Sequence, residues 1–316
     1  MRPGVINCPA MEIIVLGAGA IGSLYGAKLA TKNDVTLVGR AKHVAAIDSH
    51  GLRIEGIESR VVPIRAATAI EKIGPDAVIL LTTKVTDGAA ALAPVASLVR
   101  EDTTILCLQN GLGSERIART ALGDRGIVLR GITQFGAIFK SPGVIQFMAP
   151  GYTLIEQNER SDRVARVLTD AGLDCRVSQN IAADVWHKLV INCVVNPITA
   201  ILGCEVGGIA NPELNPLKRL VIDECAAVAA TQEVRFAVDF IREIAEVFRP
   251  SHNIASMLQD LRRGHPTEIN YMNGAVAALG ARHGLECPVN DALTRIIKAM
   301  ETASLLPEKM LEAQPA

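Results

Sequence analysis

The 316-residue sequence is poor in several features that would have fixed its class at once. It has no excess of either charge, with 32 Lys and Arg against 33 Asp and Glu, a formal net charge of −1. No basic field gathers phosphate backbones, so no nucleic-acid partner is expected. Aromatic residues make up only 3%, beside 49% hydrophobic and 21% charged residues. That is the balance of an aliphatic globular chain, and it excludes a disordered or collagen-like one.

The seven cysteines are odd in number, show no C-x-x-C spacing and stand mostly in apolar surroundings. They read as reduced core thiols of a cytoplasmic protein. No His, Cys, Asp or Glu cluster has metal-ligand spacing, so no metal is expected. The longest uncharged apolar run, Leu189 to Cys204, is 16 residues and contains Asn192, Asn196 and Pro197. It is too short and too polar to span a bilayer, and the expectation is a buried helix and no membrane partner. The first ten residues lack the apolar core of a signal peptide and are expected to be a disordered leader. No repeat, low-complexity tract or like-charge block is present.

At roughly 100–200 residues per domain the length suggests two domains. From Met11 apolar strands alternate with helices: Ile13–Leu16, a helix to Lys32, Val35–Val38, Asp76–Thr82, a helix over Asp87–Val99, Thr103–Leu108, a helix over Ser114–Leu122, and Ile127–Leu129. The pattern predicts an α/β fold with a Rossmann-type, doubly wound parallel sheet. Short segments at Gly136–Phe139, Val144–Phe147 and Tyr152–Ile155 predict antiparallel strands extending that sheet. A helix over Ser161–Ala171 and a strand over Asp174–Val177 close the first domain, set at residues 11–179. From Asn180 the periodicity is helical, broken at Pro197, Pro212, Pro216, Pro250, Pro266 and Pro288, which predicts an all-helical C-terminal domain over 180–316.

Gly17-Ala18-Gly19-Ala20-Ile21-Gly22 is G-x-G-x-x-G placed directly after a strand and opening a helix, the context that makes this motif specific for a dinucleotide. Gly17 serves the turn, Gly19 lets the backbone approach a pyrophosphate, and Gly22 lets helix and strand pack. At the end of the second strand, where an NAD site carries an acid, stand Gly39 and Arg40. A missing acid and a guanidinium able to bind phosphate favour NADP (NADPH), against the alternative of a solvated arginine. Lys84 and Asn110 both follow parallel strands, at the edge where open α/β sheets bind ligands.

In Trp186 to Leu202, Lys188, Asn192 and Asn196 recur every fourth residue and fall within about an 80° arc of an otherwise apolar helix. A polar stripe on a buried helix faces a cleft or polar partners. Glu268, on the edge of a helical stripe formed by Ile269, Met272 and Val276, is the natural partner for a buried ammonium. A structural ion pair with amide cross-links is the plain reading. Beside a dinucleotide fold, the same groups suit carbonyl reduction, with Lys188 as the acid and the amides orienting the substrate. His187 lies about 100° round the helix and is read as core or surface.

These motifs together resemble the ketopantoate reductase (2-dehydropantoate 2-reductase) family over Met11 to Met300. The resemblance rests on the glycine turn, Thr83-Lys84, Gln109-Asn110-Gly111, the segment Lys188 to Pro197, Ser256 to Asp260 and Thr267-Glu268-Ile269. It implies an active site between the two domains, with Lys188 as general acid, Asn192 and Asn196 holding substrate, and Ser256 binding the substrate carboxylate. It also implies that Lys84, Asn110 and Glu268 line the nicotinamide and ribose end. The implied reaction is NADPH-dependent reduction of 2-dehydropantoate to (R)-pantoate, on the way to pantothenate and coenzyme A. Family members often carry a further substrate-binding Asn where Val206 stands here, which keeps open a broader 2-oxo acid reductase. A non-catalytic NADP(H)-binding sensor is the other alternative, and a homodimer is left open.

Overall fold

The computed structural model describes residues 10–303. The leader expected at residues 1–10 lies, up to residue 9, outside the described residues. The chain divides into two compact units. The first runs to Gln109 and resumes over Gly113–Ile181; the second takes Asn110–Leu112 and everything from Ala182.

The first unit contains, in order, β1 (Glu12–Leu16), α1 (Ala20–Leu29), β2 (Asp34–Val38), α2 (Ala41–His50), β3 (Leu52–Gly56), β4 (Arg60–Val62), β5 (Arg65–Ala67) and β6 (Val78–Leu81). It continues with α3 (Gly88–Leu92), β7 (Thr104–Cys107), α4 (Ser114–Leu122), β8 (Ile127–Thr133), β9 (Gly136–Ser141), β10 (Val144–Ala149), β11 (Thr153–Ile155), α5 (Ser161–Asp170) and β12 (Cys175–Val177). Eight strands form the main sheet in the order β12-β11-β8-β7-β6-β1-β2-β5. The five neighbouring pairs from β5 to β8 are all parallel. The unbroken apolar runs are explained by burial on both faces: Ile13 and Val15 of β1 join one core, while Ile14 and Leu16 join the other.

Two expectations are corrected in this unit. Of the three segments expected to extend the sheet as antiparallel strands, only β11 does so, pairing antiparallel with β8. β9 and β10 leave it for a separate four-stranded sheet, β4-β3-β10-β9, with two strands that the polar stretch after Gly51 hid. The alternating burial of Val144–Ala149 suits that smaller sheet, with Ile145 and Phe147 turned into the core. Its docking is fixed by His43, whose Nδ1 accepts from the Gly143 N–H at 2.9 Å and whose Nε2 faces Ser23 Oγ at 3.2 Å. The continuous helix expected over 87–99 is two 3-10 turns flanking the short α3. Pro94 cannot donate the amide a longer α-helix would need there.

The regular structure of the second unit, among its described residues, is helical, with α6 (Ile181–Leu202), α7 (Asn215–Ala230), α8 (Phe240–Phe248), α9 (Ser256–Arg262), α10 (Asn273–Arg282) and α11 (Pro288–Ala303). Pro197 does not break the helix, as its sequence had suggested; α6 runs through it for 22 residues. The carbonyl that Pro197 cannot reach, Cys193 O, instead accepts from Asn273 Nδ2 at 2.9 Å. By length and hydropathy α6 could cross a bilayer, but 61% of its most apolar window is buried inside the protein, as in a core helix.

Candidate active site

The dinucleotide turn is built by close contacts that tolerate nothing larger than glycine. Gly17 has φ +109, and a Cβ there would strike Thr83 N and lie 2.7 Å from Thr82 C. A Cβ on Gly22 would strike Gly17 O and lie 2.5 Å from Thr82 Oγ1. Thr82 Oγ1 itself donates to Gly17 O at 2.9 Å, tying the end of β6 to the turn after β1. Gly19 is different: it has an ordinary φ of −79, and its hypothetical Cβ meets only Gly17 O at 4.0 Å. Protein packing does not require glycine at 19, so the bare backbone there fits a ligand brought against it. The first helical bond runs from Ser23 N–H to Gly19 O, which leaves the amides of Ala20, Ile21 and Gly22 at the turn without a helical acceptor. Together with Ala18, which anchors its N–H on Val38 O, these residues are placed so that they could hold an anion.

Beyond β2, a side chain at Gly39 would press its Cβ to 2.9 Å from Ala18 Cβ. Arg40 follows, exposed, as the extended residue preceding α2. Lys84 stands half-buried after β6, and its carbonyl accepts from Gln109 Nε2 at 3.1 Å, as does Thr83 Oγ1. Sequence reasoning missed Arg130. Buried in β8, it donates from Nη1 to Gln109 O at 2.8 Å and to Ser114 Oγ at 2.7 Å. It therefore fastens both sides of the loop that carries Asn110. The signal is a single Arg inside the run Ile127–Thr133, which the apolar pattern alone ends at Leu129.

In the helical unit, Lys188 Nζ donates to Asn110 Oδ1 at 2.9 Å, and Asn110 Nδ2 faces Glu268 Oε2 at 3.4 Å. Three residues far apart in sequence thus form one chain of ammonium, amide and carboxylate. The loop is held by Leu112 N–H on Tyr271 O at 3.0 Å. Gly111, at φ +79, has no room for a Cβ beside that same Tyr271 carbonyl.

Glu268 is not on the helix expected for it. It precedes a 3-10 turn, Ile269–Tyr271, and the backbone breaks at Met272 before α10 begins. The apolar stripe itself is real, since Ile269, Met272 and Val276 are all buried. Met272 Sδ accepts from Asn196 Nδ2 at 3.5 Å, drawing the buried Asn196 toward the same segment. Asn192 is half-buried one helical turn earlier, and Ser256 is exposed at the start of α9. His187 points away to Glu243 Oε2 at 3.0 Å and stacks beside Phe240. Val206 is buried in a 3-10 turn. Among the described residues, no group of three or more His, Cys, Asp or Glu is placed to hold a metal.

An α/β unit with a dinucleotide turn and a helical unit with a Lys–Asn–Glu chain are the parts of a two-domain oxidoreductase. The chain belongs to the ketopantoate reductase family: residues 13–160 match the model described as Ketopantoate reductase PanE/ApbA, and residues 180–301 match its C-terminal model. It is 39% identical over 302 residues to a 2-dehydropantoate 2-reductase of Pyrococcus horikoshii, covering 92% of this chain and 98% of that protein. It is 33% identical over 300 residues to one of Archaeoglobus fulgidus, with the same coverage. Among solved structures, a PanE/ApbA family ketopantoate reductase from Ralstonia eutropha superposes with a TM-score of 0.85 at 29% identity, covering 94% of this chain and 100% of that one. A D-mandelate dehydrogenase bound to NADH and anilino(oxo)acetate does so with a TM-score of 0.85 at 26% identity and the same coverage.

Proposed function

We propose that this protein reduces 2-dehydropantoate to (R)-pantoate with NADPH. The observation that carries the reading is the Lys188–Asn110–Glu268 chain in a family member that also keeps the Gly17–Gly22 cradle.

When bound, the reduced nicotinamide supplies a hydride to the substrate's carbonyl carbon. Gly17 to Gly22 would hold its pyrophosphate, Arg40 its 2′-phosphate, and Lys84, Asn110 and Glu268 its nicotinamide and ribose end. Charge then grows on the carbonyl oxygen, which needs a donor and a proton. Lys188 Nζ serves both needs. Asn110 Oδ1 fixes where that ammonium points, and the same amide faces the Glu268 carboxylate. Asn192 and Asn196 orient the substrate's hydroxyl and carbonyl groups, and Ser256 takes the carboxylate.

NADP is preferred over NAD because Gly39 supplies no acid for the ribose and Arg40 offers a guanidinium. A second reading, a broader 2-oxo acid reductase, is favoured by the apolar Val206 and by the likeness to a D-mandelate dehydrogenase whose structure holds anilino(oxo)acetate. Following NADPH oxidation with 2-dehydropantoate, unbranched 2-oxo acids and an aryl oxoacetate decides between them. A strong preference for the gem-dimethyl hydroxy acid supports the first, and flat rates support the second.

A further inference from the structure

Helix α6 carries a proline directly after its last substrate-facing residue, Asn196. A helix-interior proline leaves the carbonyl four residues earlier without its donor. Here that carbonyl belongs to Cys193, directly after Asn192 in the polar stripe. It is buried, and it would be an orphan but for the 2.9 Å donation from Asn273 Nδ2.

Asn273 is fully buried and joins a network spanning four helices. Its Nδ2 also donates to Asn290 Oδ1 at 3.0 Å, and Asn290 Nδ2 donates to Glu224 Oε2 at 2.7 Å. The Glu224 carboxylate in turn accepts the Val289 and Asn290 amides at 2.8 and 2.9 Å, at the start of α11. Among the described residues, Asn273 Oδ1 has no hydrogen-bond partner. A leucine of similar volume would remove that orphan, so what the amide contributes is its two donations.

Asn273 also sits at one end of a short segment that contacts the site at every step. Glu268 faces Asn110, Tyr271 holds Leu112, Met272 meets Asn196, and Asn273 grips Cys193 O. We propose that Asn273 is a positioning residue for the reduction. By supplying the donor that Pro197 removes, it sets the register of the Lys188–Asn192–Asn196 stripe against the Glu268 segment.

This inference rests on the reductase reading, and the test separates the two. Wild-type turnover of 2-dehydropantoate with NADPH tests the reading; if another 2-oxo acid is the better substrate, the ratios below are measured on it. Asn273→Leu, Pro197→Ala and the double variant are compared for kcat/KM, cofactor Kd and Tm. Small misplacements in a reduction site cost roughly 10–100-fold, and that loss in kcat/KM is expected for Asn273→Leu with an unchanged cofactor Kd. Pro197→Ala restores a backbone N–H to Cys193 O, so the double variant should lie within about threefold of Pro197→Ala alone. If Asn273→Leu does not yield folded protein, that last comparison carries the test. A folded Asn273→Leu with wild-type kcat/KM and a lowered Tm would assign Asn273 a structural role only and overturn the proposal. So would a further tenfold or greater loss in the double variant relative to Pro197→Ala.

Discussion

Lys188 reaches Asn110 across 78 positions of sequence, donating from Nζ to Oδ1 at 2.9 Å. Asn110 offers its amide in turn to Glu268, its Nδ2 standing 3.4 Å from Oε2. In the proposed reaction Asn110 aims the ammonium. Lys188→Ala removes the proposed proton donor and should lower kcat by about 10²–10⁴-fold. Cofactor Kd should hold, because the glycine turn is untouched. If the chain were purely structural, Tm would fall and the folded fraction would keep its kcat; measuring kcat and Tm on one preparation decides.

The glycine turn yields a prediction of opposite signs. Gly19→Ala places its Cβ in open space at an ordinary φ, so stability should be unchanged or rise by up to about 0.4–1 kcal/mol. Gly22→Ala forces a Cβ onto Gly17 O and should destabilise the first unit strongly. Both should weaken the dinucleotide, one by blocking its approach and the other by deforming the cradle. Thermal melts with cofactor titrations separate them. A Gly19→Ala protein that binds NADPH like wild type would remove the case for pyrophosphate at that turn.

How much of this was legible in the sequence depends on distance along the chain. The parallel strands of the main sheet, the turn at Gly17 to Gly22 and the polar stripe of α6 are local patterns, set by unbroken apolar runs, glycine spacing and a period of 3.6 residues, and the structure has each of them in place. The pairing of β3 with β10 is not local, and the polar residues of β3 and β4 mask it. Pro197 was read as a break because a proline's lost donor is visible in sequence while its replacement, 76 residues on at Asn273, is not. Lys188 and Glu268 could be matched by charge, but the bridging Asn110 could be placed only at a strand end. Arg130 bonds to Gln109 and Ser114, 21 and 16 positions away, and neither spacing is a local pattern.

His43 makes stability depend on pH in a stated direction. Burial holds its pKa below the ordinary histidine value. Geometry agrees: Nδ1 accepts the Gly143 N–H and must stay unprotonated, with the proton on Nε2 toward Ser23. Because the folded pKa is depressed, the neutral ring's contribution is fully present above the unfolded value of about 6.5 and is lost as pH falls below it. Relative to His43→Gln, which cannot titrate, wild type should therefore lose Tm more steeply between about pH 7 and pH 5. Parallel slopes would show that His43 is not the group responsible.

Arg40 offers the most direct test of cofactor choice, because it is exposed and can be changed without touching the core. Surface substitutions usually stay within about 0.5 kcal/mol, and an acid preceding α2 is favoured by the helix dipole, so Arg40→Glu should fold as well as wild type. A charge-assisted bond to phosphate contributes about 1.5–3 kcal/mol, and like-charge repulsion adds to its loss. Every 1.4 kcal/mol is a factor of ten, so the NADPH/NADH ratio of kcat/KM should fall by roughly 10–100-fold or more. NADH turnover itself should hold or rise, since the new carboxylate can accept from the ribose hydroxyls. The placement of Gly39, whose Cβ would crowd Ala18, means that an acid introduced one residue earlier should disturb the turn, so Gly39→Asp should weaken both cofactors. Steady-state kinetics of both variants with both cofactors check this, and an unchanged ratio in Arg40→Glu would take the 2′-phosphate away from Arg40.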